Sequence, residues 1–337
     1  MAQIKGLFIT ASGGISEVKE AWHSLGGELI VLEEPDEGQI IEAVKDVDVA
    51  MSLGAAPSRA IFEAMDRCQG WVGFGHGYDG VDLDAAVENG IILTNTASFG
   101  TDEVSNQAMM HLLVCARKFV LHDKLVKSGV WTREHLAPMG HLPHQTIGII
   151  GTGNIGRAVG RKAKAFGLRV VAYDPYISSW DTKEIGFEPA TSINEVCEQA
   201  DYLTLHTMLT EETFHMIGDQ QFKIMKPTAY LINVSRGKCV DEAALIRALN
   251  DGEIAGAGLD TFEQEPTPAD NPLLKMDNVS VTSHYASYSE VAFTRRITQL
   301  GEEGVRIALG QWPMSLINPA VQATIPARDP ARAWGTF

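Results

Sequence analysis

The stretch from Ile149 to Gly156 reads Ile-Ile-Gly-Thr-Gly-Asn-Ile-Gly and closes a short β-branched run that starts at Thr146. A helical pattern begins inside this stretch and continues to Phe166. A second strand candidate, Arg169–Tyr173, then leads directly into Asp174. A strand, a glycine-rich turn, a helix and a strand followed by an acidic residue predict a dinucleotide-binding βαβ unit.

Each glycine of this loop has a predicted task. Gly151 permits the tight turn, Gly153 lets the backbone approach a pyrophosphate, and Gly156 lets the helix lie close to the strand. The backbone N–H groups at the start of the helix, at Asn154 and Ile155, then face the phosphates.

Asp174 predicts which dinucleotide binds. Its carboxylate can accept hydrogen bonds from the ribose hydroxyls and would repel a 2′-phosphate, which favours NAD over NADP. The alternative is a glycine turn without a ligand, in which Asp174 is only a turn residue.

Composition excludes several classes of protein. The chain has 337 residues, which allows about two domains. Its net charge of −16 disfavours nonspecific binding to nucleic acid or to an anionic membrane. No apolar stretch approaches the roughly 20 residues of a membrane span, and the N-terminus lacks the pattern of a secretory signal. The 4 cysteines are widely spaced without a CxxC pair, which predicts no metal site and a cytoplasmic location.

Short β-branched runs alternate with helical stretches, a pattern that predicts parallel sheets covered by helices on both faces. The runs are too numerous for one comfortable sheet, so we expect two doubly wound α/β domains that divide near residue 100. The strand candidates are Ile4–Thr10, Glu28–Leu32, Val47–Leu53, Trp71–Phe74, Ile91–Asn95, Thr146–Ile150, Arg169–Tyr173, Tyr202–His206, Ala229–Val234, Ile254–Asp260 and Val279–His284.

Two long helical stretches connect the predicted domains. One runs from Asp102 to about Lys127, with Thr101 as its cap, and the other runs from Glu290 to Leu309. The second stretch would carry the chain back to the first domain. We therefore expect a discontinuous domain, residues 1–100 plus 296–337, into which residues 101–295 are inserted.

Three later segments place polar residues after strand candidates: Asn233–Gly237, Gly258–Pro266 and Thr282–Tyr288. Ligands of open α/β sheets bind outside the carboxyl ends of the strands. Arg236, Glu265 and His284 are therefore expected to converge there. Each has an alternative: Arg236 a surface residue, His284 a core histidine, and Glu263 a rival for the place of Glu265.

Together with Gly75–Asp82, these segments resemble the D-isomer-specific 2-hydroxyacid dehydrogenase family over nearly the whole chain. The runs Thr101–Val104 and His284–Glu290 are also similar to the C-terminal-binding-protein branch, whose members are NADH-responsive corepressors. The resemblance implies an NAD-binding Rossmann domain inserted into a flavodoxin-like substrate domain. It also implies a homodimer, with the helix from Asp102 and the segment Met139–Pro143 as candidate contacts.

The resemblance implies a role for each candidate catalytic residue. Arg236 would bind the substrate carboxylate and polarise the 2-keto oxygen, because a guanidinium offers fixed paired donors. His284 would exchange a proton with that oxygen, and Glu265 would orient His284. Asp260 would lie near the nicotinamide amide.

Two further residues, Val234 and His206, are assigned to the cofactor site. For His206, a role as a cap or in packing is an equal alternative.

The substrate is expected to be a small 2-keto or 2-hydroxy acid. The resemblance places its carboxylate at the backbone of His76 and Gly77, with Phe99 and Tyr285 shaping the pocket. His76 departs from the common small residue of the family, and its ring either reaches the distal end of the substrate or faces solvent or Phe74. An NADH-sensing regulator and a phosphite-oxidising enzyme remain alternative functions.

Overall fold

The computed structural model describes residues 4–11, 15–23, 26–73 and 75–326. The chain forms two compact units: unit 1 comprises residues 1–100 and 289–337, and unit 2 comprises residues 101–288. The chain returns to unit 1 at residue 289, before the predicted boundary between residues 295 and 296. The helix that begins at Glu290 therefore lies entirely within unit 1.

The first segment of unit 1 alternates strands with helices. In chain order they are β1 (Lys5–Thr10), α1 (Ile15–His23), β2 (Glu28–Glu33), α2 (Glu37–Val44), β3 (Val49–Leu53), α3 (Arg59–Glu63), β4 (Gly70–Gly73), α4 (Leu83–Glu88) and β5 (Ile92–Asn95). The strands pair in parallel in the order β2-β1-β3-β4-β5, which is the flavodoxin-like order.

Unit 2 repeats this alternation. Its helices and strands are α5 (Thr101–Ala116), α6 (Phe119–Lys127), β6 (Thr146–Ile150), α7 (Asn154–Ala165), β7 (Arg169–Tyr173), α8 (Ser179–Glu184), β8 (Glu188–Pro189), α9 (Ile193–Gln199), β9 (Tyr202–Leu205), α10 (Asp219–Ile224), β10 (Tyr230–Asn233), α11 (Glu242–Asp251), β11 (Gly256–Leu259) and β12 (Val279–Val281). Its parallel sheet has the order β12-β11-β10-β9-β6-β7-β8, in which the chain reverses direction across the sheet between β6 and β9. This is the Rossmann arrangement, so the predicted fold of two doubly wound parallel sheets is confirmed.

Both sheets are buried on two faces because successive side chains of a strand point in opposite directions. In unit 1, Leu7 and Ile9 pack with residues of α2 and α3, whereas Phe8 packs with residues of α1 and of α12 (Glu290–Ala308). In unit 2, Ile147 and Ile149 pack with residues of α5 and α7. Ile150 belongs to the opposite core, with residues of α9 to α11.

Two local predictions were wrong, and one strand was not predicted. The helix expected from Asp102 to Lys127 is interrupted after Ala116, because Lys118 adopts a left-handed conformation with φ of 51°. Such a residue cannot continue a right-handed helix, and α6 starts anew after it. The expected cap, Thr101, is itself the first helical residue of α5. The edge strand β8 was not predicted, since two residues are too few to show a periodicity.

The structure also bears on membrane insertion. In the described ranges, no helix combines the length and the apolar composition that a membrane crossing requires.

Candidate active site

The glycine loop joins β6 to α7 and excludes side chains at two positions. Gly151 has φ of +89°, and a Cβ there would lie 2.6 Å from the carbonyl oxygen of His206. A Cβ at Gly156 would lie 2.1 Å from the carbonyl oxygen of Gly151, so only glycine lets α7 approach the turn this closely. Gly153 immediately precedes Asn154 and Ile155, and a Cβ there would meet no atom within 4 Å. The N–H groups of the first turn of α7 can therefore face a pyrophosphate.

Asp174 follows β7 and is held in a defined orientation. Its Oδ2 accepts hydrogen bonds from the backbone N–H of Thr152 at 2.8 Å and from the Thr152 hydroxyl at 3.1 Å. Its Oδ1 accepts the backbone N–H of Tyr176 at 3.0 Å. The side chain is partly exposed, so its remaining lone pairs can accept hydrogen bonds from ribose hydroxyls. Thr152 was not among the predicted site residues, and its position inside the glycine loop was the available signal.

The other predicted cofactor residues of unit 2 differ in environment. His206 follows β9, where its Nε2 lies 3.0 Å from the hydroxyl of Thr204. Burial lowers the pKa of His206 to about 3, so its ring is neutral at pH 7. Val234 follows β10 and is buried in the core of unit 2.

The three candidate catalytic residues follow three neighbouring strands of unit 2. Arg236, Glu265 and His284 come after β10, β11 and β12, and these strands pair in that order. Since the strands are parallel, their carboxyl ends share one edge of the sheet. The Arg236 guanidinium donates from Nη1 to the carbonyl oxygen of Ser235 at 2.8 Å.

The structure pairs His284 with Glu265. The imidazole Nδ1 lies 2.6 Å from Oε2 of Glu265, and Oε1 of Glu265 accepts the backbone N–H of Phe262 at 2.9 Å. The rival carboxylate, Glu263, instead pairs with Nε2 of His215. The side chains of His284 and Glu265 are 48% and 35% exposed, so the pair is accessible to a ligand.

Asp260 is fully buried at the end of β11. Its Oδ1 accepts the Thr282 hydroxyl at 2.5 Å and the N–H of Tyr285 at 3.2 Å, and its Oδ2 accepts the N–H of Ala286 at 3.0 Å. These contacts tie Asp260 to the loop that carries His284. The sequence did not reveal this connection, because the residues are distant in the chain.

Three of the predicted substrate residues lie in unit 1. The His76 ring packs against Phe99 with the ring centroids 4.5 Å apart, and the carbonyl oxygen of His76 accepts the side-chain amide of Asn95 at 2.7 Å. Gly77 lines a cavity of about 200 Å³ beyond the ends of β3, β4 and β5. The alternative contact of His76, Phe74, lies outside the described residues.

The other two predicted substrate residues, Arg236 and Tyr285, lie in unit 2. Tyr285 is 47% exposed, and its position directly after His284 places it at the same edge of the sheet as the His284–Glu265 pair.

A family model described as "D-isomer specific 2-hydroxyacid dehydrogenase, NAD binding domain" matches residues 109–286, more than half of the chain. The chain belongs to the D-isomer specific 2-hydroxyacid dehydrogenase family. It is an oxidoreductase of that family, and NAD is its cofactor, as predicted. The glycine loop and the oriented carboxylate of Asp174 fit this cofactor.

Named relatives agree with the family assignment. The chain is 41% identical to a glyoxylate reductase from Korarchaeum cryptofilum, over 85% of this chain and 87% of the relative. It is 38% identical to a glyoxylate reductase from Pyrococcus furiosus, over 84% of this chain and 86% of the relative. The crystal structure of D-lactate dehydrogenase with NAD+ from Lactobacillus jensenii is 28% identical and has a TM-score of 0.77. That comparison covers 93% of this chain and 99% of the lactate dehydrogenase.

Proposed function

We propose that this dehydrogenase reduces small 2-keto acids with NADH, or oxidises the matching D-2-hydroxy acids, and that glyoxylate is among its substrates. The observation that carries the proposal is the His284–Glu265 pair at 2.6 Å, at the strand edge that also bears Arg236. The glyoxylate reductases among its relatives support the choice of substrate.

The contact with Glu265 indicates which nitrogen of His284 exchanges a proton with the substrate. Glu265 engages Nδ1, which leaves Nε2 for the oxygen of the substrate. In the direction of reduction, Nε2 donates its proton to the keto oxygen, and the carboxylate of Glu265 stabilises the charged ring beforehand. When bound, NADH supplies the hydride that reduces C2. In the direction of oxidation, Nε2 accepts the hydroxyl proton.

Arg236 binds the second functional group of the substrate in this proposal. Its guanidinium can donate two parallel hydrogen bonds, one to the carboxylate and one to the keto oxygen, and it stays charged at any working pH. The bond from Nη1 to the Ser235 carbonyl limits the rotation of the side chain and favours one orientation.

The remaining assignments follow the family. Unit 2 is the NAD-binding domain, in which Gly151, Gly153 and Gly156 admit the pyrophosphate and Asp174 favours NAD over NADP. Unit 1 is the substrate domain, in which the backbone of His76 and Gly77 holds the substrate carboxylate. The set of substrate and cofactor contacts is completed by Phe99, Tyr285, His206, Val234 and Asp260. We also propose a cytoplasmic homodimer, and a monomer mass in light scattering at micromolar concentration would refute the dimer.

The function is tested by following cofactor oxidation as the loss of the near-ultraviolet absorbance of the reduced nicotinamide. The panel contains glyoxylate, hydroxypyruvate, pyruvate, phenylpyruvate, oxaloacetate and phosphorylated hydroxypyruvate, with NADPH and His284→Ala as controls. We expect turnover of glyoxylate on the order of 1–1000 per second, abolished by His284→Ala and weak with NADPH. If no keto acid is turned over although NADH binds, the proposal is wrong, and phosphite oxidation or an NADH-sensing role takes its place.

A further inference from the structure

We infer that His111 and Thr282 are positioning residues that hold the loop of the acid–base histidine in its working conformation. This inference rests on the proposed function of His284. It assigns a functional task to a helix residue outside the cofactor loop and outside the candidate catalytic set.

His111 is a fully buried residue of α5 that lies directly against β11. A Cβ at Gly258 would lie 2.6 Å from the Cβ of His111 and 2.9 Å from its Cγ. The imidazole therefore occupies space that only a glycine at position 258 leaves open. This packing brings the ring between two side chains of the β12 segment, Ser280 and Thr282.

The hydrogen bonds around Thr282 have only one consistent direction. The Thr282 hydroxyl donates its single proton to Oδ1 of Asp260 at 2.5 Å. The two lone pairs of that hydroxyl then accept Nε2 of Gln107 at 3.0 Å and Nε2 of His111 at 3.2 Å. All three hydrogen-bonding positions of the Thr282 hydroxyl are filled.

The same reasoning assigns the tautomer of His111. Because Nε2 donates to Thr282, Nδ1 must accept, and the hydroxyl of Ser280 donates to it at 3.0 Å. Burial lowers the pKa of His111 to about 4, although the charge of Asp260 opposes this shift. A neutral ring with one proton is what the two neighbouring hydroxyls require.

This chain of hydrogen bonds ends at the loop that carries His284. Asp260 accepts three successive backbone N–H groups: that of His284 at its carbonyl oxygen at 2.8 Å, and those of Tyr285 and Ala286 at its carboxylate. His284 has φ of 52°, a left-handed conformation that is unfavourable for a residue with a Cβ. Such a conformation persists only where the surroundings impose it.

Thr282 controls the rotation of the carboxylate that makes two of these three bonds. Without its hydroxyl, Oδ1 of Asp260 loses its shortest hydrogen bond while the carboxylate stays buried. Buried charged groups that lose a partner tend to rearrange, because desolvation without compensation is costly. The loop would then sample other conformations in which His284 no longer meets both Glu265 and the substrate.

The experiment uses two pairs of variants in the full-length protein. Thr282→Val removes the hydroxyl at nearly constant volume, and Thr282→Ser retains it. His111→Leu removes the N–H donor, and His111→Gln keeps an amide donor near the position of Nε2. Readouts are kcat and KM for glyoxylate over a range of pH, the Kd of NADH, the melting temperature, and backbone hydrogen exchange of residues 284–288.

We expect Thr282→Val to lower kcat at least tenfold, the scale for losing a hydrogen bond to a charged group, and Thr282→Ser to stay within about threefold. The pH profile of kcat shifts in Thr282→Val, and hydrogen exchange of the Tyr285 and Ala286 amides becomes faster. His111→Leu has the same effects with smaller magnitude, and His111→Gln retains most of the activity and exchange protection that His111→Leu loses.

A merely structural role would lower the melting temperature and the active fraction without moving the pH profile or the exchange of these amides. Equal kcat values and equal exchange rates in Thr282→Val and Thr282→Ser would also overturn the inference. Hydrogen exchange needs no substrate, so the loop is tested even if the keto-acid panel shows no turnover. Failure of the proposed function and failure of this inference are thereby separated.

Discussion

Glu265→Gln tests the acid–base pair directly. Glutamine keeps an oxygen for the N–H of Phe262 but presents an amide NH2 to Nδ1 of His284, where the carboxylate lies at 2.6 Å. A protonated imidazole also carries a hydrogen on Nδ1, so two donors would face each other. The variant therefore disfavours the charged ring that keto-acid reduction requires.

The size of the effect follows from the geometry and the exposure of the pair. A hydrogen bond to a charged group contributes about 1.5–3 kcal/mol when it is shielded from water. His284 and Glu265 are 48% and 35% exposed, and solvent screening places this pair at the lower end of that range. About 1.5–2 kcal/mol corresponds to roughly a 10- to 30-fold loss of kcat.

The assay is the pH dependence of NADH oxidation with a saturating keto acid. In Glu265→Gln, the rate of reduction near neutral pH should be lower than in the unchanged protein, because the charged ring has lost its carboxylate partner. The Kd of NADH should not change.

The chain offers a matched control in Glu263, which pairs with His215 and has no described contact with His284. Glu263→Gln should leave kcat within about twofold of the unchanged protein. The reasoning is refuted if the two variants lose activity equally, or if Glu265→Gln keeps its kcat across the pH range.

Three further predictions concern the cofactor, the substrate and stability. Asp174→Ala should raise KM for NADH about tenfold and change KM for NADPH less, because it removes the carboxylate that accepts hydrogen bonds from the ribose hydroxyls of NADH. Equal changes in KM for the two cofactors would contradict this. Arg236→Lys should lower kcat/KM for glyoxylate about 10- to 150-fold, since an ammonium lacks paired donors; steady-state kinetics with an unchanged Kd for NADH check it. Burial raises the pKa of Glu303 from 4.5 to about 7. Between these two pH values the folded protein holds a proton that the unfolded chain releases, so the free energy of unfolding should fall as the pH rises from 4.5 to about 7. Glu303→Gln should remove up to roughly 3 kcal/mol of that decline in urea unfolding, whereas the exposed neighbour Glu302→Gln should not.

Local sequence patterns were sufficient for the fold. The strands of both sheets, except the two-residue β8, were predictable because β-branched runs bounded by turn residues are local features, and their alternation with helices implies parallel pairing. The interruption of the long helix at Lys118 was not predictable, because no glycine or proline marks it and a left-handed lysine depends on its surroundings.

The candidate site was predictable in its residue types but not in its contacts. Local order and spacing could propose Arg236, Glu265 and His284, yet Glu263 remained a rival until the backbone showed which carboxylate lies beside which histidine. The loop after β11 brings the two carboxylates to different histidines, and its path is not visible in the local sequence.

The two parallel sheets, the glycine loop and the preference for NAD are readable from the amino-acid sequence, since each depends on short-range patterns of residue type and backbone freedom. The position of His111 of α5 beside Gly258, and its hydrogen-bond link through Thr282 to Asp260, became visible only in the folded chain. Hydrogen bonds of this kind are sensitive to differences of a few tenths of an ångström in the distances between residues far apart in the chain. Such distances are set by the packing of a helix on a sheet, which no local pattern records.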